Sequence, residues 1–483
     1  MSATQILSAP DEHEVSPPIR RHWWRFPALC LLLLLSLAIT IFEARTAPAP
    51  EAPLSSFIVT YMLGFGPYLA ACVLVFATAA PQGRSRWLEL GLILGGALIM
   101  QAILLPLFPD LTRDSWRYLW DARVTLHGYS PYTHVPLAPE LSSLHNFVLE
   151  NSRFRGSPTI YPPGAQAIYV LSYLIAPDNI FVLKGIFALF AVATSAALAL
   201  LLLRKGLDPA RCIVYAWCPL TIIEFALQGH VDAATILFTV LALLCASGQW
   251  RGSRVLTGLM LALATLTKLY PLLLLVVVLR RRDWALLVTC FTTIFIFYIP
   301  YLMLGNGQVL GFFATYASQQ GGNEGIVPLA VGRLIKLLHL ASSSSLIVIY
   351  GVDLLTVGIA SGVVFWLHQR ERLSMEAGIL ILTSTIFAVS SHIFPWYTTA
   401  LLPMIALLAV PVWTRRQGWS GQGLAVVMAW YLPFISLISY VSGGPNFWDI
   451  YYAVAYYFIL AGLVIAAALQ LWRLKNTPRS NVS

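Results

Sequence analysis

Charge is the first thing this sequence has little of. Asp, Glu, Lys and Arg make up 11% of its 483 residues against 58% hydrophobic ones, and the mean hydropathy is +0.75. That composition excludes a soluble globular domain and identifies an integral membrane protein. Cysteine is scarce too. All six lie inside apolar runs without a C-x-x-C pair, so neither a disulfide framework nor a zinc site is expected. There is no G-x-x-x-x-G-K-[ST] loop, which argues against ATP-driven transport by this chain alone. No internal repeat is visible, which weighs against a secondary transporter. The net charge of +9 does not point to nucleic acid. The basic residues gather in short loops, among them Arg84 and Arg86, Arg204 and Lys205, Arg251 and Arg254, and Arg280 to Arg282. That is the positive-inside pattern of a membrane protein.

What the chain has is apolar runs. The first, from Phe26 to Phe42, follows a basic stretch and reads as a retained anchor because further spans follow it. Runs from Phe57 and Trp87 come next, then Ile180 to Leu203, Cys212 to Gln228 and Ala233 to Ser247. Val255 to Leu279 is one run with basic clusters at both ends, and both ask to be inside. A hairpin of two short helices bent at Lys268-Leu269-Tyr270-Pro271 resolves the conflict, since proline disfavours helix continuation. After Trp284 to Leu304, an amphipathic piece from Ile326 to Leu340 carries Arg333, Lys336 and His339. Five further runs end near Trp472. The expectation is an all-α polytopic membrane protein, a bundle of about 12–14 transmembrane segments with a long extracytoplasmic loop containing interfacial helices. It comprises a cytoplasmic tail (1–25), one transmembrane domain (26–472) whose loop spans 109–179, and a second cytoplasmic tail (473–483). Tyr161 to Pro177, inside that loop, reads as an interfacial or re-entrant helix.

The loop opens with the most polar stretch, Pro109 to Tyr132. Asp110, Asp114 and Asp121 share it with Arg113, Arg117, Arg123 and five aromatic residues. Polar loops this long in compact domains are usually functional, and carboxylates, guanidiniums and rings together suit a sugar phosphate. At roughly 100° per residue Asp110, Asp114, Arg117 and Asp121 fall on one helical face, so a salt-bridge ladder is the competing account.

Asp114 four residues before Tyr118, the Trp120-Asp121 pair, Gly128 to Tyr132 and Tyr161-Pro162-Pro163 together resemble the first extracytoplasmic loop of the GT-C glycosyltransferases. The chain is most similar to their mannosyltransferase-like branch, family 87. The resemblance implies a GT-C-type bundle that transfers a hexose, mannose in that branch, from a polyprenyl-phosphate donor to a lipid-linked or cell-envelope glycan acceptor. It implies an extracytoplasmic site in a bacterial inner membrane, inversion at the anomeric carbon, and Asp114 as the general base. A transporter or flippase of lipid-linked saccharides is the alternative from another class.

Parity of the spans brings four polar points to one side: the Asp114 loop, His230 with Asp232, the bend at Lys268, and Ser391 to Tyr397. An intramembrane lysine defaults to a functional role, and Lys268 is read as a phosphate ligand. The competing reading pairs it with a buried acid such as Glu224 or Asp232. His230 and His392 serve as donors to phosphate or as structural hydrogen bonders, and Asp232 holds His230 or a sugar hydroxyl. Arg333 is either a phosphate ligand or a snorkelling interface residue. Asp110, Arg117, Tyr118, Asp121 and Tyr161 complete the substrate-binding set, with Asp110 also placed to cap a loop helix. Trp116, Trp120, Tyr161, Trp396 and Tyr397 are candidates for stacking on sugar rings. No cofactor is expected. Nor is a metal: the loop acids form no D-x-D pair and the loop histidines lack ligand spacing. The expected partners are the donor, the acceptor and membrane lipids, not nucleic acid.

Overall fold

The computed structural model describes residues 23–46, 54–311, 325–339, 345–390, 393–415, 418–440 and 451–476. His392 lies outside them. In chain order the helices are α1 (Arg25–Thr46), α2 (Leu54–Ala77), α3 (Arg84–Leu104), α4 (Asp114–Leu126), α5 (Phe147–Asn151), α6 (Pro163–Ile175) and α7 (Ile180–Arg204). Then follow α8 (Ile213–Ala216), α9 (Pro219–Ile222), α10 (Asp232–Ala246), α11 (Ser253–Thr267), α12 (Leu275–Val278), α13 (Trp284–Leu304) and α14 (Ile326–Leu337). The last are α15 (Ser345–Gln369), α16 (Met375–Val389), α17 (Pro395–Thr398), α18 (Leu402–Leu408), α19 (Gly421–Ile435) and α20 (Phe458–Asn476). One two-residue hairpin, Trp413–Thr414 against Gly418–Trp419, interrupts the helices. The all-α polytopic membrane architecture expected from composition is the one observed.

Among the described residues, eight helices are long and apolar enough to cross a bilayer, and a broken pair adds a ninth. The 25 residues of α7 rise ~38 Å, more than the ~30 Å hydrocarbon core. The 15 residues each of α10, α11 and α16 reach only ~22 Å. These short apolar helices account for the gap between nine long spans and the larger number read from the sequence.

Two of the breaks position the site. The pair running from Pro209 to Leu227 bends by 62°, and its second half ends in a π-helical turn at Ile223–Leu227. The run from Val255 to Leu279 breaks where expected: α11 stops at Lys268, whose backbone is extended, and Pro271 sits in the 3-10 turn that follows. Arg254 Nη2 donates to Val278 O at 2.7 Å, and its Nε donates to Asp283 at 2.8 Å. Both ends of the run therefore meet, as a hairpin requires.

The loop after α3 is a packed structure. Helix α6 is too short to span and packs against α4, α7 and α11. Gly164 makes its approach to α11 possible, because a Cβ there would sit 2.9 Å from Leu266 O. Arg123 donates to Asp178 at 2.7 Å and to Leu144 O at 3.0 Å, while Asn146 donates to the same Asp178 oxygen at 2.9 Å. At the start of α1, Arg25 is buried rather than part of a basic tail. It pairs with Asp208 at 2.6 Å and with Glu89 at 3.0 Å.

Candidate active site

A cavity of about 400 Å³ opens where the loop meets the ends of several helices. Leu111, Thr112, Asp114, Arg117 and Tyr118 of the loop, with Arg153, Phe154 and Ser157 to Tyr161, form one part of its lining, and Ile393 to Tyr397 another. Ser439, Tyr440, Tyr451, Tyr452 and Tyr456 form a third. Among the described residues, charge enters this aromatic-rich space at three side chains: Asp114, Arg117 and Arg153.

Asp114 is the first residue of α4, where a carboxylate faces the positive end of the helix dipole. Burial pushes its carboxyl up to about 6 from the usual 3.8; Arg153 and Lys268 pull it back, and Asp232 raises it. The expected ladder on this helix is a single rung. Arg117 Nε meets Asp121 at 2.7 Å, one turn on, and leaves Asp114 outside the pair. Arg117 also donates from Nη1 to Phe154 O at 2.8 Å. Its buried Nη2 has no hydrogen-bond partner, and the side chain lines the cavity. Tyr118 and Tyr161 share a hydrogen bond of 3.1 Å between their hydroxyls, and both line the cavity.

Several sequence expectations are corrected here. Asp110 caps no helix: the N-cap of α4 is Arg113, with no side-chain cap bond, and Asp110 is exposed outside the cavity lining. Asp121 is buried beneath the cavity, held by Arg117 and by Gln166 at 3.3 Å. Trp116 and Trp120 lie in the loop's own core, not at the cavity. Arg333 lies on exposed α14, hydrogen-bonded to the Tyr457 hydroxyl and over its ring, away from the lining. Lys268 is not a lining residue either. Its Nζ donates to Asp232 Oδ1 at 2.7 Å and lies 3.7 Å from the centre of the Tyr397 ring. It is Tyr397 that faces the cavity. His230 also stands behind the wall, stacked on Trp396 at 3.9 Å. Phe394 stacks on Trp396 as well, at 4.6 Å and a 4° interplanar angle. Trp396 is thus engaged by neighbouring rings rather than presented as a flat platform.

The family model of glycosyltransferase family 87 matches residues 159–395. Over that stretch, just under half of the chain, the protein is similar to glycosyltransferase family 87. No curated protein matches it. The protein is therefore a glycosyltransferase built into a multi-pass membrane bundle. The family 87 region includes Tyr161, Phe394 and Pro395 at the cavity, with His230, Asp232 and Lys268 behind it. It begins after α4, so Asp114, Arg117 and Arg153 stand outside the matched stretch.

Sequence reasoning missed Arg153 and the tyrosines of the third wall. The signal for the tyrosines was present: Tyr451, Tyr452, Tyr456 and Tyr457 crowd one otherwise aliphatic run. Their role as lining depends on the C-terminal helices folding back against the loop, which no local pattern encodes.

Proposed function

We propose that this glycosyltransferase takes a hexose, mannose by its resemblance, from a polyprenyl-phosphate donor and delivers it to a lipid-linked or cell-envelope glycan acceptor. The observation that carries this reading is the meeting of one half-buried carboxylate and two guanidiniums in a single aromatic-rich cavity. A monophosphate donor needs cations at its phosphate and a base at the acceptor hydroxyl. Arg117 and Arg153, which line the cavity, meet the first need, in place of the Lys268 expected from sequence.

Asp114 meets the second. The acceptor hydroxyl passes its proton to the Asp114 carboxylate as its oxygen bonds to the anomeric carbon. The bond from that carbon to the phosphate oxygen breaks on the opposite face, and the phosphate leaves with the electron pair. Inversion follows from that geometry. A carboxyl lifted to about 6 is ionised near neutral pH yet more basic than a solvated aspartate, the compromise general-base catalysis favours. The basic loops on one side of the spans support a site on the extracytoplasmic face, in a bacterial inner membrane by the same resemblance.

The test is transfer by purified protein from synthetic polyprenyl-phosphate hexoses to a panel of octyl glycosides. The expected result is one product with inverted anomeric configuration, formed from the mannosyl donor. No transfer from any polyprenyl-phosphate hexose would overturn the donor class, and donor crossing the bilayer without product would replace transfer by transport.

A further inference from the structure

Glu224 is a buried acid that this chemistry does not use. It sits in the π-helical turn at Ile223–Leu227 and is fully buried. Such turns are rare and concentrate at functional sites. The carboxylate accepts from the Tyr440 hydroxyl at 2.9 and 3.1 Å on its two oxygens. The Tyr61 hydroxyl donates to Oε1 at 3.4 Å, and His230 Nε2 lies 3.3 Å from Oε2. The same His230 nitrogen lies 3.2 Å from Thr112 Oγ1, and the ring stacks on Trp396. Thr112 is held a second time, its N–H donating to Gln228 Oε1 at 3.0 Å.

Tyr440, Trp396 and Thr112 belong to the three separate walls of the cavity. Glu224 touches the first directly and the other two through His230. We infer that Glu224 is a positioning residue, tying the three walls of the cavity into one arrangement and thereby setting how an acceptor is presented to Asp114. The inference rests on the glycosyltransferase reading of the cavity. The carboxyl group suits the task because its two oxygens take hydrogen bonds from different partners at once, Tyr440 on both and Tyr61 on one. An amide at this place keeps one acceptor oxygen, and its NH2 cannot accept from the Tyr440 or Tyr61 hydroxyl, so the hydrogen bonds that join the walls must rearrange.

The experiment compares Glu224→Gln, Tyr440→Phe and the double variant in the full-length protein, using the octyl glycoside that the wild type accepts. Each single variant raises the acceptor KM by up to about tenfold, the loss of one hydrogen bond. The donor KM holds, and the double variant is no worse than the singles because both cut one connection. Hydrogen exchange speeds up together in segments 109–114, 394–398 and 436–440 of Glu224→Gln. An unchanged acceptor KM in a folded Glu224→Gln protein, additive effects in the double, or exchange that rises in the π-helical turn alone would each overturn the inference. If Glu224→Gln does not fold, Tyr440→Phe decides by the same KM split. If the wild type transfers no sugar, the glycosyltransferase reading of the cavity falls instead, and the joint change in exchange alone decides the positioning role.

Discussion

Lys268 Nζ and Asp232 Oδ1 are 2.7 Å apart, and the pair is covered by the ring of Tyr397, which lines the cavity while Lys268 does not. An intramembrane cation that a sequence reader assigns to substrate is, in the fold, committed to an acid on the neighbouring helix. The chemistry of the site then falls to cations on the loop.

That relationship makes a stability prediction. Lys268→Met leaves Asp232 buried and unpaired, at a cost of about 3–5 kcal/mol. Combining it with Asp232→Asn removes the orphaned charge and restores most of the loss. Thermal unfolding in detergent measures both. Donor KM in the double variant stays near the wild-type value; a large rise would return Lys268 to the phosphate site.

Asp114→Asn keeps shape while removing basicity. Transfer falls by about 10²- to 10⁴-fold, the usual contribution of a positioned base, while donor binding persists. Asp121→Asn, which breaks the pair with Arg117, lowers stability first. Equal transfer rates for Asp114→Asn and wild type would displace the base assignment.

The pH dependence follows from the same carboxyl. Burial holds it at about 6 in the folded protein against 3.8 when solvated, so it is protonated and inactive below that range and a base above it. The transfer rate rises through pH 6 to a plateau. Because folding favours the protonated form, this group's contribution to stability falls as pH climbs from about 4 to about 6. Asp114→Asn abolishes both dependences, which rate and unfolding profiles check separately.

Arg153 is exposed, so Arg153→Gln folds normally. Donor KM rises about tenfold through loss of a charge-assisted bond to phosphate. Arg117→Lys does more damage, since a point charge cannot serve Asp121, Phe154 O and the cavity at once. Titration of both variants with the mannosyl donor tests this order.

Topology is accessible to labelling because the native cysteines are buried or half-buried. A cysteine at exposed Ser143 reacts with an impermeant reagent from outside intact cells, and one at exposed Gln249 reacts only after permeabilisation. The reverse pattern would move the cavity to the cytoplasmic face.

The sequence by itself determined the class of molecule. Long apolar runs with few charges can only be satisfied as helices in lipid, the basic loops mark one side, and Lys268-Leu269-Tyr270-Pro271 was legible as a break because proline acts locally. The rung between Arg117 and Asp121 was legible too, since four residues on a helix are neighbours by construction. Tertiary structure decided everything that depends on which helix ends meet. Spacing cannot tell whether Lys268 finds Asp232 or a ligand, because 36 residues separate the two acid–base partners and only the docking of α10 on α11 joins them. The tyrosine wall, Arg153 and the Glu224 connection are likewise contacts between distant segments. A side chain's neighbours there are set by packing of the whole bundle, and a linear pattern carries no distance between them.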